Sequence, residues 1–326
     1  RCNAKCIMCG GDYFRSRSGR KITLEKFERM ASNLKLERFE SVCLAGAGDP
    51  LLNADLIPII RFINEKYPKV DVNITTNGIA LTEELSKKLL GCKLCLINIS
   101  LNAATEDTYR RIMQVDCFDR VCDNIGKFVE LRKGAKTRPL VRVSSAINRL
   151  NIEELPAMVE LAHKLEIEAV NAMYCRFYPE SIRHSNVEND EFRRLDGDSL
   201  FFHQELSDEM VEKAAALAGQ YGIAFTHEPL FKNNAEPGRC IWPWRELMVG
   251  FDGEVYPCGG AEVHFKQRIE SGQYRFGNAL TESIDEFWNG ADYRRLRLSA
   301  RQHPCSDPIE ECSCCANIVR PNDIRM

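Results

Sequence analysis

The chain has 326 residues and a formal net charge of −3 at pH 7, with acidic and basic residues interspersed, which excludes the concentrated positive surface that nucleic acid or an anionic membrane requires. It holds no apolar run of the ~18 residues that a membrane helix needs and opens with no signal segment, so a soluble, cytoplasmic protein without nucleic-acid or membrane partners is expected. Fifteen cysteines in a chain this long do not describe a small secreted disulfide scaffold, and metal ligation in a reducing compartment accounts for them better.

In chain order, Leu24, Phe27, Met30 and Leu34 at helical spacing predict a helix over 23–36, and 41–44 is a short apolar strand running into Gly46-Ala47-Gly48-Asp49-Pro50. A helix over 54–67 and a strand over 70–75 follow, the strand stopping at Asn77-Gly78. Thr82 is a natural N-cap for a helix over 82–90. The pattern continues with a strand over 94–101, helices over 105–113 and 119–132, a strand over 140–146, a helix over 151–165 and a strand over 168–174. Repeated strand and helix units favour a parallel sheet covered by helices, either open and doubly wound or a complete or partial barrel. Either way the chemistry belongs at the carboxyl ends of the strands, where Cys2, Gly48, Asn77 and Asn102 fall.

A polar stretch over 176–207 leads to a helix over 208–221 and a strand over 223–226, and 233–238 reads as a linker. Beyond it, extended segments over 245–249 and 254–256 around Asp252-Gly253 predict a hairpin flanked by Cys240 and Cys258. A helix over 283–299 precedes Cys305, Cys312, Cys314 and Cys315. Two domains are expected, 1–228 and 229–326. The chain opens at Arg1-Cys2 with no initiating Met and no strand before the first cysteine, so a further N-terminal segment is expected to precede it.

Cys2-Asn3-Ala4-Lys5-Cys6-Ile7-Met8-Cys9 places three soft thiolates within eight residues. Such a loop can wrap one face of a 4Fe-4S cluster and leave the fourth iron open to a substrate. The alternatives are a zinc site lacking one ligand or cysteines close by chance. Zinc prefers paired Cys-x2-Cys units, which the four-residue first step does not match.

With this loop the sequence resembles the radical S-adenosylmethionine (SAM) superfamily, whose signature is Cys-x3-Cys-x2-Cys after the first strand of a partial (β/α)6 TIM-type barrel. The resemblance runs over the whole barrel region and implies a SAM-binding 4Fe-4S cluster held by Cys2, Cys6 and Cys9. Met8 stands where the family usually has an aromatic residue near the adenine, and a thioether can fill a similar apolar role. The family's Gly-Gly-Glu-Pro motif is similar to Ala47-Gly48-Asp49-Pro50, whose backbone and carboxylate would hold the amino group of the methionine moiety. An ordinary glycine-rich turn is the alternative there. Asn77 ends a strand as the family often does. By the same resemblance Ser100 and Asn102 would meet the ribose hydroxyls or the carboxylate of SAM. Arg110, its neighbour Arg111 and Ser144 are further candidates for that carboxylate, against a solvated helix face for the arginines.

Cys240, Cys258, Cys312 and Cys315 make four ligands that suit zinc or a fully ligated second 4Fe-4S cluster equally well on spacing, with Cys305 able to replace Cys312 or Cys315. Cys-x12-Gly-x4-Cys here resembles the start of SPASM and twitch extensions, as do Gly277-Asn278 and 287–290. This implies a small C-terminal twitch/SPASM-like domain with a single auxiliary cluster. Cys43, Cys92, Cys95, Cys117 and Cys122 read as small apolar residues, whereas Cys175, after the last barrel strand, is a candidate hydrogen-atom donor. Trp242 and Trp244 read as packing beside Cys240, and the six histidines form no ligand-spaced pair.

The resemblance implies an enzyme that reductively cleaves SAM to a 5′-deoxyadenosyl radical, fed by an external one-electron reductant such as flavodoxin or ferredoxin. The expected substrate is a small hydroxylated metabolite, a sugar, aminocyclitol or nucleoside, undergoing dehydrogenation or epimerisation. The alternatives are maturation of a ribosomally made peptide, aminocarboxypropyl transfer, and a non-enzymatic cluster or metal scaffold.

Overall fold

A computed structural model describes residues 2–9, 21–46, 48–175, 198–233, 240–258 and 269–301. Six strands form one sheet in sequence order: β1 (Ser41–Leu44), β2 (Asp71–Thr76), β3 (Leu96–Ser100), β4 (Leu140–Ile147), β5 (Ala169–Tyr174) and β6 (Ala224–His227). Every pairing is parallel. Parallel neighbours need crossovers, and these carry α2 (Leu56–Lys66), α3 (Glu83–Leu90), α4 (Glu106–Met113), α5 (Phe118–Lys133), α6 (Leu155–Lys164) and α7 (Gln204–Tyr221), which follow α1 (Leu24–Asn33) in the chain. The fold is the partial (β/α)6 TIM-type barrel expected from the alternation of elements.

Local chemistry sets the boundaries. Thr23, Thr82 and Thr105 each cap a helix, their side chains accepting from the backbone amides of Lys26, Leu85 and Thr108. Glu106 and Asp107 in the first turn of α4, with Arg110 and Arg111 in its last, match the helix dipole. Along the strands, side chains alternate between two faces. Ile74, Ile97, Ile99, Val141 and Val170 on one face are fully buried and form the core, each burial being worth roughly 1.5–3 kcal/mol. The other face carries polar residues at the same spacing, among them Thr75, Asn98, Arg142 and Asn171.

By contacts the chain divides into two compact units. Residues 21–38 belong with the C-terminal unit: Asn33 Nδ2 donates to the Ala279 carbonyl at 2.9 Å, and Lys35 and Arg38 both pair with Asp285. In that unit β7 (Met248–Val249) and β8 (Val255–Tyr256) form the expected antiparallel hairpin. Gly277 has φ +111°, and a Cβ there would lie 2.3 Å from the Phe287 ring, so glycine lets the chain pass that ring.

Three expectations change. Arg245 closes a single helical turn, Trp242–Arg245, instead of opening a strand, because Pro243 starts a helix with its φ preset and no amide to satisfy. The helix predicted over 283–299 is a turn, Ile284–Phe287, followed by α8 (Ala291–Arg301). The interruption falls at Trp288-Asn289-Gly290, where the Gly290 amide closes a turn onto the Phe287 carbonyl at 2.8 Å. Helix α7 begins at Gln204 rather than 208, because the 3-10 turn Leu200–His203 leads straight into it. The linker predicted over 233–238 lies, but for Asn233, outside the described residues, as does 176–197 of the polar stretch. Among the described residues no helix is long and apolar enough to cross a membrane.

Candidate active site

The carboxyl ends of β1, β2 and β3 present Asp49, Asn77 and Asn102. Asp49 is buried, and its carboxylate accepts from the Thr76 hydroxyl at 2.8 and 3.0 Å, from the Asn77 amide at 2.8 Å and from the Leu51 amide at 2.9 Å. It thereby ties the loop after β1 to the end of β2. Burial raises its pKa above the ordinary carboxylate value, against the lowering effect of these hydrogen bonds.

Asn77 carries the arrangement to the cysteine loop. Its Nδ2 donates to Asn3 Oδ1 at 2.8 Å and lies 3.6 Å from Cys2 Sγ, while its Oδ1 accepts from the Ile79 amide at 3.0 Å. The loop is also held by its backbone: the Lys5 and Ile7 amides donate to the Met113 and Ile112 carbonyls at 3.1 and 2.9 Å, the last carbonyls of α4. Ala4 and Ile7 are buried, whereas Cys2 and Cys6 are half-buried and Cys9 is exposed. Anchoring by the residues between them leaves the thiols presented outward.

Asn102 adopts a left-handed conformation at φ 62°, which asparagine tolerates better than most residues. Its Oδ1 accepts from the Ala146 amide at 2.8 Å and its Nδ2 lies 3.2 Å from Met113 Sδ, itself 3.5 Å from Cys6 Sγ. Asn151 Nδ2 donates to the Asn102 carbonyl at 2.9 Å. Glu154 gathers the next turn, accepting from the Ala104 and Thr105 amides and from the Thr105 and Thr108 hydroxyls at 2.5 to 3.1 Å. A continuous set of contacts thus runs from the start of α6 through α4 to Cys6.

Deeper on the polar face, Asn98 Oδ1 accepts from Ser144 Oγ at 2.5 Å and from Arg142 Nε at 2.8 Å, and Asn98 Nδ2 reaches Thr75 Oγ1 at 3.5 Å. Thr226 Oγ1 donates to Asn171 Oδ1 at 2.7 Å. This hydrogen-bonding floor spans β2 to β6.

The structure therefore brings together Cys2, Cys6, Asp49, Asn77 and Asn102. Ser144 lies on the floor, with Ser100 opposite it in register on β3, and Met8 and Gly48 are half-buried. Arg110 sits on an exposed face of α4, paired with Glu106 at 2.5 Å, Asp107 at 3.3 Å and Asp116 at 3.7 Å, and Arg111 is also exposed. Cys175 is buried just past β5, its amide donating to the Ile147 carbonyl at 2.8 Å, and burial pushes its thiol up to about 12. Cys240 and Cys258 are half-buried in the C-terminal unit. Ala47, Cys305, Cys312, Cys314 and Cys315 lie outside the described residues. Sequence reasoning missed Met113, Asn151, Glu154, Asn98 and Arg142. For the last two the signal was a polar residue in the middle of an apolar strand.

The donor chemistry fits an iron-sulfur cluster. Three thiols project from one anchored loop that contains no carboxylate or imidazole. Among the described residues no three thiol, carboxylate or imidazole groups converge on a single metal ion. Cluster ligands bind separate irons and stand farther apart than ligands of one ion.

The radical SAM superfamily model matches residues 1–162, and an iron-sulfur cluster-binding (SPASM) domain model matches 240–316. The chain belongs to the radical SAM superfamily. Its sequence is 32% identical over 172 residues to a probable GTP 3′,8-cyclase of Saccharolobus solfataricus, covering 52% of each chain. It is 29% identical over 165 residues to a probable GTP 3′,8-cyclase of Methanocaldococcus jannaschii. The chain spans about half the length of these curated relatives. Among solved structures, SuiB of Streptococcus suis bound to precursor peptide SuiA superposes with TM-score 0.67 at 18% identity, over 91% of this chain and 64% of that one. AdoMet-bound anSMEcpe superposes with TM-score 0.64 at 16% identity, over 98% and 85%. At these identities the likeness is one of fold. The cofactors of this radical SAM enzyme are a SAM-binding 4Fe-4S cluster, SAM, and auxiliary iron-sulfur in the SPASM region.

Proposed function

We propose that this radical SAM enzyme abstracts hydrogen from a small hydroxylated metabolite, a sugar, aminocyclitol or nucleoside, in a dehydrogenation or an epimerisation. The observation that supports the substrate class is the polar floor of Thr75, Asn98, Ser144 and Asn171, which gathers hydroxyl and amide side chains on one face of the sheet. The names of the curated relatives, which specify a nucleotide, agree with it.

When bound, the cluster supplies the electron that cleaves the sulfonium of SAM to methionine and a 5′-deoxyadenosyl radical. Cys2, Cys6 and Cys9 would hold it, with Asn77 Nδ2 placed 3.6 Å from Cys2 Sγ to steady that ligand. Gly48, Asn102 and Ser100 at the strand ends and Met8 in the cysteine loop would receive SAM, with Asp49 tying the β1 loop to the end of β2; Ala47, outside the described residues, is assigned to the same role by its motif alone. In the epimerisation branch Cys175 Sγ–H gives a hydrogen atom to the substrate carbon radical. The resulting thiyl is then reduced by the external one-electron donor with uptake of a proton. Cys240 and Cys258, with Cys312 and Cys315, would hold the auxiliary cluster in a domain division at about 228.

The test is deuterium transfer. Reconstituted enzyme with SAM and reductant is offered sugars, aminocyclitols and nucleosides deuterated at carbon, against a panel of peptides. Deuterium in 5′-deoxyadenosine from a small metabolite supports the reading, and transfer from peptides alone refutes it. The peptide reading draws on the bound peptide in the SuiB structure.

A further inference from the structure

Arg142 is the third residue of β4 and faces the polar side of the sheet, one step below Ser144. Among the described strand residues of that face, the other charged side chain is Asp71, which begins β2 at the opposite end of the strand from Asn77. Arg142 is half-buried, and its Nε is spent on Asn98 Oδ1 at 2.8 Å. The acceptor is held in place in turn, because Asn98 is buried, takes Ser144 Oγ at 2.5 Å on the same oxygen and places its amide toward Thr75. The guanidinium is therefore held from the neighbouring strand β3, while no described hydrogen bond or ion pair engages its terminal Nη1 and Nη2. No described carboxylate pairs with it, whereas exposed Arg110 and half-buried Arg132 and Arg149 all have one.

A fixed planar fork on a hydrogen-bonding floor, with no carboxylate partner among the described residues and the Cys43 thiol of β1 as its electrostatic neighbour, is built to receive an oxyanion in two parallel hydrogen bonds. The geometry points to Arg142 as the anion-recognition residue of the substrate pocket, so that the substrate is a hydroxylated metabolite bearing a phosphate or carboxylate group. This rests on the small-metabolite reading above and narrows it. Neutral sugars and nucleosides would fill the hydroxyl contacts and leave the fork unpaired, which costs affinity and selects against them.

Phenylglyoxal labelling of the reconstituted wild-type enzyme, read by peptide mass, tests the site directly. Arg142 should be modified in potassium chloride and protected at matched ionic strength by inorganic phosphate or by acetate, with labelling slowed about ten-fold, as expected for charge-assisted hydrogen bonds to the fork. Protection by phosphate alone assigns a phosphate ester, and protection by acetate as well admits a carboxylic acid. An Arg142 that does not react, or reacts equally with and without both anions, overturns the inference. Arg142→Met should leave SAM affinity, measured by equilibrium dialysis, within about two-fold of wild type. A ten-fold or greater loss would assign the fork to SAM and overturn the inference as well. Failure of the metabolite reading shows elsewhere, in the absence of deuterium transfer from any small metabolite, and leaves the labelling result untouched.

Discussion

Asp49→Asn isolates the link between the β1 loop and the end of β2. The carboxylate accepts three groups: the Leu51 amide on Oδ1, the Asn77 amide on Oδ2, and the Thr76 hydroxyl across both. With asparagine, Oδ1 still serves Leu51, and the new NH2 can donate to Thr76 Oγ1 with its hydroxyl turned. The Asn77 amide then faces a donor instead of an acceptor. An orphaned buried amide costs about 1–3 kcal/mol, which corresponds to roughly 5- to 150-fold faster exchange of that amide. Hydrogen exchange of a peptide covering 75–79, wild type against variant, reads this locally, without treating a chain of two units as a two-state folder. Burial raises the Asp49 pKa, so the folded chain binds this proton more readily than the unfolded one. The stability the group contributes is present below the ordinary carboxylate pKa and lost as pH rises through the raised value. The gap between wild type and variant should narrow as pH rises through that window. Unchanged exchange at Asn77 in the variant would refute the reasoning, because the amide would then not depend on the carboxylate.

Glu154→Gln removes one acceptor oxygen from the four donors at the start of α4, and should loosen that helix by about 1–3 kcal/mol. Exchange over 104–113 should quicken and the cluster should bleach faster in air, whereas unchanged bleaching would break the proposed line from Glu154 to Cys6. Cys175, with its thiol pushed up from 9.0 to about 12, should carry about a thousand-fold less thiolate at pH 8 than an unperturbed cysteine. It should therefore resist iodoacetamide while remaining able to give a hydrogen atom, and Cys175→Ala should divert an epimerisation to oxidised or stalled product. Unchanged turnover in that variant would remove Cys175 as a donor.

Much of this was legible because it is local. Alternating strands and helices, threonine caps and three cysteines on one short loop are written in neighbouring residues. Asp49 and Asn77 were visible as strand-end residues, but not as partners of each other, because their contact spans 28 positions. Met113 could not be told from a core methionine on an amphipathic helix, since its site-facing role depends on where α4 ends relative to the cysteine loop. Asn98 and Arg142 were marked by polarity within apolar strands, and only the sheet register shows that they meet. The grouping of 21–38 with the C-terminal unit rests on contacts to Ala279 and Asp285, some 250 residues away, which no periodicity records.

The most direct test of the central claim is paired iron and product analysis after anaerobic reconstitution. The account predicts about eight irons per chain and 5′-deoxyadenosine formation with dithionite and SAM for the wild type. With Cys2, Cys6 and Cys9 all changed to Ala it predicts about four irons and no 5′-deoxyadenosine. Full SAM cleavage by that triple variant, or a wild type that holds iron in neither region, would contradict it.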